Sequence, residues 1–263
     1  MKIMSWNVAS IRARMEALKK VLSTWNPDIV MLQEIKATDE QFPFWDLKSL
    51  GFHAYISGQK AYNGVALLSK EPLSNVITAL PGFVEDADVQ ARFIEGQTES
   101  GAHVICVYVP NGNPPMKDPA DTSRLAYKLK WMAALTMHIQ GLLKAGVPVI
   151  LGGDFNVIER DGDVYNPDLY RDNALMVPPV RAKFADLNAL ALHNTIRALH
   201  PENGLYSFWD FQMGAWRRNH GMLLDHLFVS DDLKAHVADA GILKEVRGWE
   251  KTSDHVPIWC ELK

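Results

Sequence analysis

Four stretches of this sequence set polar side chains directly against apolar runs. SWN ends in Asn7, MLQE ends in Glu34, ILGGDFN carries Asp154 and Asn156, and TSDH puts Asp254 and His255 just before VPIWCEL. Side chains at a strand end emerge at the edge of a sheet, so several such ends can converge on one cleft. Phosphodiester hydrolysis calls for this mixture. A hard divalent cation takes oxygen ligands and keeps several waters, so one or two carboxylates hold it, and Glu34 is the first candidate. The reaction also needs an aligned water, a base to deprotonate it, and donors for charge developing on the phosphoryl oxygens. Asp154 can serve as base, Asn7 and Asn156 as neutral donors, and His255 as donor to a phosphoryl oxygen.

A histidine in that role needs a partner for its other ring nitrogen. In MLLDHLFVS, Leu223, Asp225, Leu227 and Val229 share one face of an alternating run, so Asp225 stands in an apolar row. A carboxylate there is costly unless paired. An Asp225–His255 hydrogen bond is the expectation, with His226 pointing to the opposite face. Taken singly, an acidic residue at a strand end is commonly a turn former. The functional reading rests on the conjunction.

The elements that must position these residues are legible from periodicity. MKIMSWN reads as a strand, and RARMEALKKVLSTW carries Met15, Leu18, Leu22 and Trp25 on one helical face before Pro27. DIVMLQE is then a continuous apolar run, the pattern of a strand covered on both faces. The same event recurs later. TSRLAYKLKWMAALTMHIQGLLKAG is an amphipathic helix with Leu125, Leu129, Met132, Leu135, Ile139 and Leu142 at three- and four-residue steps and Gly146 as C-cap; VPVILGGDFN follows as a buried strand ending in an acid. That near-duplication suggests two similar halves. FHAYIS, GVALLS, HVICVYV, LYSFWDF and MLLDHLFVS read as further strands, residues 182–192 as a short helix, and 159–179 as a long surface loop. In VPIWCEL, Val256, Ile258, Cys260 and Leu262 alternate with Pro257, Trp259 and Glu261, the signature of a strand with one buried face.

Composition bounds the rest. The chain has 263 residues, 48% of them hydrophobic and 22% charged, which suits a globule with a sizeable core. No linker or composition break divides it, so one domain over residues 1–263 is expected. The net charge of −4 provides no global positive field, which excludes a bulk coater of nucleic acid but not a local phosphate cleft. Cys106 and Cys260 lie apart in apolar runs, the spacing of neither a zinc site nor a disulfide framework. With no apolar leader and no stretch near the ~20 apolar residues of a membrane span, a cytoplasmic protein with no membrane partner is expected.

In their order, SWNVASIRAR, PDIVMLQEIK, GQKAYNGVALLSK, VYVPNG, ILGGDFNV, YSFWDF, LLDHLFVS and SDHVP resemble the exonuclease III family of the endonuclease/exonuclease/phosphatase superfamily, and they span almost the whole chain. The resemblance implies a four-layer α/β sandwich of the DNase I-like kind, two packed mixed β-sheets flanked by helices, with the site at one end. It implies magnesium-dependent incision at abasic sites, 3′-to-5′ exonuclease action on duplex DNA and removal of blocked 3′ ends, with Mn2+ able to replace Mg2+. By motif, Glu34 binds the metal with Asp254 close enough to assist, and Asn7, Asp154 and Asn156 complete the candidate set. Asp154 orients or deprotonates water, Asn7 and Asn156 stabilise the phosphate, Tyr108 contacts it, and Asp225 supports His255, whether as base or as phosphate clamp. The implied partner is double-stranded DNA with abasic sites or blocked 3′ ends, bound by a monomer.

Two departures bear on this. Where the family carries Asp or Asn two residues after the Asn of SWN, this chain has Ala9, which leaves one prospective metal ligand fewer. Asn194 replaces a usual Asp at a position expected to lie outside the reacting groups. For DNA, Phe208, Met222 and Leu224 are candidates to line a pocket for a flipped-out abasic sugar, with Trp209 beside them. Arg12, Lys36, Asn111, Arg217 and Arg218 are candidates for a basic and polar rim, joined by Arg14, Lys60 and Lys117. The alternative of another class is a catalytically weak or inactive nucleic-acid-binding regulatory protein of the same fold, for which Ala9 is the support.

Overall fold

The computed structural model describes residues 1–84 and 90–263. Along the first half run β1 (Lys2–Asn7), α1 (Met15–Trp25), β2 (Ile29–Gln33), α2 (Phe44–Ser49), β3 (His53–Ser57), β4 (Val65–Ser69), β5 (Ser74–Ile77) and β6 (Phe93–Gln97). The second half holds β7 (His103–Tyr108), α3 (Ser123–Lys144), β8 (Val149–Asp154), α4 (Pro178–Asn188), β9 (Leu192–Asn194), α5 (Thr195–Leu199), α6 (Ala215–Arg218), β10 (Asp225–Ser230), α7 (Asp231–Lys234), β11 (Val237–Ile242) and β12 (Ile258–Leu262).

These strands form two six-stranded mixed sheets, ordered β11-β12-β1-β2-β4-β3 and β5-β6-β7-β8-β10-β9. The duplication legible in the sequence is the centre of each. β1–α1–β2 and β7–α3–β8 both place a parallel strand pair in mid-sheet, flanked on both sides by antiparallel strands. Parallel neighbours need a crossover, and an amphipathic helix supplies it. In α1, Ala17, Leu18, Val21 and Leu22 are buried, and Asn26 closes the helix in the left-handed conformation ahead of Pro27. In α3 the buried stripe includes Trp131, Met132, Leu135 and Ile139; Ala145 is the C-cap and Gly146, at φ +70°, turns the chain away.

The sheets pack face to face, with helices on the outer faces, so the central strands are buried on both sides. Ile3, Ile29, Met31, Val65 and Leu67 of the first sheet meet Ile94, Val104, Cys106, Ile150, Leu227 and Val229 of the second. Each such fully buried aliphatic contributes roughly 1.5–3 kcal/mol. Outside them, Met4, Trp6, Val30 and Leu32 pack on α1, and Ile105, Val107 and Leu151 on α3. Polarity rises along the inner layer. Residues two apart share a face, so β1 presents Ile3, Ser5, Asn7; β2 presents Ile29, Met31, Gln33; and β7 presents Val104, Cys106, Tyr108. Midway, Gln33 Nε2 donates to Ser5 Oγ at 3.1 Å and lies 3.2 Å from Cys106 Sγ, a polar link between sheets.

The structure revises three expectations. LYSFWDF is not a regular strand: Phe208 makes only isolated bridges to Met222 and His255. Residues 159–179 are more than a surface loop. They hold two 3-10 turns, bury Val164, Leu175 and Met176 against Met222 and Leu224, and bury Asp163 against Arg197. The expected 182–192 helix instead begins at Pro178, whose fixed φ suits a first helical turn, and Leu192 opens β9.

A hydrogen-bonded cluster around a buried carboxylate ties α3 to its sheet. Glu95 on β6, 4% exposed, has one oxygen 2.5 Å from His103 Nδ1 on β7 and the other 2.5 Å from His138 Nε2 on α3. Burial pushes the Glu95 carboxyl up, but the hydrogen bonds from His138 and His103 outweigh it and hold it below the ordinary value. A carboxyl depressed in the folded state contributes stability above its unfolded pKa of about 4.3 and loses it as pH falls through the folded value. Glu95→Gln is therefore expected to cost roughly 2 kcal/mol at pH 7 and to flatten the loss of stability below about pH 4.3. Urea unfolding of both proteins from pH 7 to 3 measures this, and parallel acid limbs would refute it.

Candidate active site

Both parallel pairs point their C-terminal ends the same way, and β10 runs antiparallel to β8 with Asp225 opposite Asp154. Last residues of β1, β7 and β8 therefore meet the first of β10 at one end of the sandwich. The backbone is distorted just there. Ala9, Ser10, Glu34, Lys36 and Asn156 all have positive φ, a conformation that costs non-glycine residues energy and clusters at functional sites. Gly153 is required at the same end, since a Cβ on it would sit 1.9 Å from the Val107 carbonyl oxygen.

Asn7 is fully buried, and its side-chain NH2 donates to Glu34 Oε1 at 3.0 Å and to Asp154 Oδ2 at 2.9 Å. Its own carbonyl oxygen accepts from the Ala9 amide at 3.1 Å, which fixes the amide's orientation. Glu34 Oε1 also accepts from the Tyr108 hydroxyl at 2.9 Å, and Lys36 Nζ lies 2.7 Å from Oε2. Burial pushes Glu34 up, but the bonds from Asn7 and Lys36 prevail and keep it ionised below the ordinary range. Burial, then the Glu34 and Asp154 charges, push the Tyr108 hydroxyl well above its usual value, so it stays a neutral donor.

The Asp225–His255 bond expected from the sequence is present: His255 Nδ1 lies 2.8 Å from Asp225 Oδ2. Ser207 Oγ donates to the same oxygen at 2.6 Å, while Asp225 Oδ1 is buried with no partner among the described residues. His255 Nε2 faces inward, 3.7 Å from Asp154 Oδ2 and 3.5 Å from Asn7 Nδ2. Burial alone would push this imidazole down. The Asp225 and Asp154 carboxylates override it and hold the ring protonated, up to about 10. Asp154, 1% exposed, is pushed up to about 7 by burial, with His255 pulling the other way. The backbone behind His255 is pinned as well, because its carbonyl accepts from Trp6 Nε1 at 3.0 Å.

Asp254 is half-buried at the same end, with its Oδ1 3.1 Å from Ser253 Oγ, whose single hydrogen is donated to the Asn7 carbonyl at 2.7 Å. Asn156 is held by Asp154, whose Oδ1 accepts from its backbone amide at 2.9 Å, and its side chain pairs with Asn111 at 3.3 Å. His226 faces the other way, among Phe155, Phe184 and Phe228, with Asn194 on its Nδ1 at 3.0 Å; burial pushes it down to about 3. His226 is a core residue, as the alternation of β10 implies, and Asn194 is a half-buried cap of α5.

The donors suit a hard cation. Asp154, Asp225 and His255 bring ligand atoms within 4.8 Å of one another. His255 Nδ1 and Asp225 Oδ2 already satisfy each other, however. The carboxylates of Glu34 and Asp154, drawn together on one amide, are the better oxygen pair for a divalent ion.

Two cavities flank these groups. One, about 670 Å3, is lined by Tyr165, Tyr170, Phe208, Arg218, His220 and Met222, and the Phe208 ring lies 4.8 Å from that of His255. The other, about 700 Å3, adjoins Tyr108 through Arg92 and includes Gln59, Asn111, Asn113 and Arg124. Arg12, Arg217 and Arg218 are exposed. Trp209 is a correction: it is fully buried, edge-on to Trp216 at 5.0 Å, and forms core rather than a surface for DNA. Leu224 is buried in the cluster behind Met222, and the charge of Lys36 is engaged by Glu34. Sequence reading missed Ser207, Arg92 and Lys128. Only Lys128 left a signal, as a charge one step before Leu129 on the apolar stripe of α3.

Removing the carboxylate from His255 is expected to drop its pKa from about 10 to near the ordinary 6.5. A 15N NMR titration of the Asp225→Asn protein measures this, and an unmoved imidazole would contradict the pairing.

Comparison with known proteins agrees with the fold. The endonuclease/exonuclease/phosphatase family model matches residues 4–255. Exodeoxyribonuclease III of Haemophilus influenzae is 33% identical over the full length of both chains. A 3′ phosphatase from Neisseria, solved with a product DNA hairpin, superposes with TM-score 0.93 at 33% identity, covering 100% of this chain and 99% of its own. An AP endonuclease from Archaeoglobus fulgidus gives TM-score 0.92 at 30% identity, over 100% and 99%. The paired carboxylates, the Asp225–His255 couple and these full-length matches lead to one assignment: the chain belongs to the endonuclease/exonuclease/phosphatase family, in its exodeoxyribonuclease III branch.

Proposed function

We propose that this protein is a magnesium-dependent DNA-repair phosphodiesterase that incises duplex DNA at abasic sites, digests 3′ ends and clears blocked 3′ termini. The observation that carries it is the meeting of Glu34 and Asp154 on one Asn7 amide, with a protonated His255 facing the same oxygen. Glu34, the carboxylate that stays ionised, would hold the divalent ion with Asp254 nearby. Bound there, it supplies Lewis-acid stabilisation of charge on the phosphate, a role Mn2+ can also fill.

The chain's own residues do the rest. Asp154, raised toward neutrality by burial, accepts the proton of the attacking water. His255, kept cationic by Asp225, donates from Nε2 to a phosphoryl oxygen, which assigns it to the clamp rather than the base. Asn156, with one N–H left beyond its bond to the Val109 carbonyl, adds a neutral donor to a site already rich in carboxylates, and Tyr108 holds Glu34 beside the phosphate. The aromatic cavity beside Phe208 and Met222 receives the sugar of the lesion or the terminal nucleotide. Arg92, Arg124 and Arg218, in the two flanking cavities, provide the local positive charge that the net −4 conceals. Two free buried cysteines suit a protein working in a reducing compartment such as the cytoplasm.

The test is a duplex carrying one abasic-site analogue, incubated with magnesium or with EDTA. Cleavage with magnesium, none with EDTA, and a loss of roughly 10²–10⁴-fold in Asp154→Ala are expected. An intact protein that binds this duplex without cutting it would favour the regulatory-module reading, whose support is Ala9. That position tests the metal directly. Ala9 sits at φ +46°, a conformation in which Asp and Asn are several-fold enriched. Ala9→Asp is expected to lower the magnesium concentration for half-maximal cleavage severalfold, and an unchanged requirement would show that position 9 lies outside the metal's reach.

A further inference from the structure

Lys128 lies on the buried stripe of α3 and is 0% exposed. Its Nζ contacts three backbone carbonyls: Asn156 at 2.6 Å, Ala174 at 3.0 Å and Asn111 at 3.1 Å. Burial pushes the Lys128 amine down to about 7, but three acceptors call for three N–H donors, which an ammonium has and a neutral amine lacks, so the carbonyls favour the charged form. The three carbonyls belong to three different loops. Asn111 follows β7, Asn156 follows β8, and Ala174 lies in the long segment before α4. For packing α3 on its sheet, an apolar side chain would serve better, because burying a charge is costly. The loops around Lys128 are also fitted to it. Gly112 has φ +85°, and a Cβ there would sit 2.7 Å from Lys128 Cδ. Asn113 Oδ1 accepts from the Ala174 amide at 2.9 Å, and its Nδ2 donates to Asn173 at 3.1 Å.

We infer that Lys128 is a positioning residue for the phosphodiesterase site, its ammonium joining the loops of Asn111 and Asn156 so that this amide pair is held beside Asp154. The inference rests on the function proposed above. Lys128 touches no reacting atom. It acts through the Asn156 backbone, whose amide is bonded to Asp154 Oδ1 and whose side chain pairs with Asn111. Misplacement of such groups by about 1 Å can cost on the order of 10²-fold in rate.

Steady-state cleavage of the abasic-site duplex is measured for the intact protein, Lys128→Met, Asn156→Ala and the double variant, with thermal unfolding of each. An inactive intact protein overturns the proposed function before any variant is read. With an active one, Lys128→Met is expected to lower kcat by roughly 10- to 100-fold, to change KM less than about threefold, and to remain folded at the assay temperature. The double variant is expected to lose no more than Asn156→Ala alone, since residues acting as one unit are non-additive. Multiplicative losses, an unchanged kcat, or a rise in KM alone would overturn the inference. Should Lys128→Met not fold, Lys128→Gln, which keeps two N–H donors, takes its place. Failure of both to fold would assign the ammonium to folding and overturn the positioning role.

Discussion

Everything at the reacting end hangs on one primary amide. Asn7 belongs to the first sheet, and its NH2 satisfies one carboxylate from each side, Glu34 after β2 and Asp154 on β8. Two carboxylates this close repel, and in a buried setting the repulsion is strong. A neutral donor with two N–H groups holds them together without cancelling the charge that a cation needs. Lysine in that place would neutralise the pair and compete with metal. The rest of the sandwich can be viewed as what keeps this amide still: its oxygen is held by the Ala9 amide, its carbonyl by Ser253, and its strand by neighbours on both sides.

Charge is distributed unevenly over the carboxylates, and burial with hydrogen bonding explains how. Glu34 has Asn7, Tyr108 and Lys36 on its oxygens and stays ionised. Asp154 has less support and deeper burial, so it is the one pushed toward neutrality. Asp225 is committed to His255 and Ser207. Three acids of similar intrinsic strength thereby take three roles. That separation of environments is how one fold assembles base, ligand and orienting group.

Much of this was legible in the residues. Strand-end positions are readable because period-2 alternation marks which side chains share a face, and Asp225 in an apolar row demanded the partner it has. The paired halves were legible too, because helix, proline and buried strand recur in the same order. What escaped reading lacked local signals. Trp209 looked available because an aromatic-rich segment has no period to say which rings turn inward, and only tertiary packing buries it. Residues 159–179 are polar in composition, yet Val164, Leu175 and Met176 find an apolar neighbourhood supplied by distant Met222 and Leu224. Ser207 and Arg92 depend on contacts between segments far apart in the chain, which spacing does not encode.

The near-repeat of β1–α1–β2 and β7–α3–β8 has a consequence for how such a molecule can change. Each half delivers an acid to its own sheet edge, but neither acid does chemistry alone: Glu34 comes from one half, and Asp154 and Asp225 from the other, with Asn7 reaching across. The seam, rather than either half, is the unit that selection sees. A drift in the inclination of one sheet against the other would disable the site while leaving both halves well folded, so the apolar layer of Met31, Cys106, Ile150 and Leu227 is a calibration surface as much as a core.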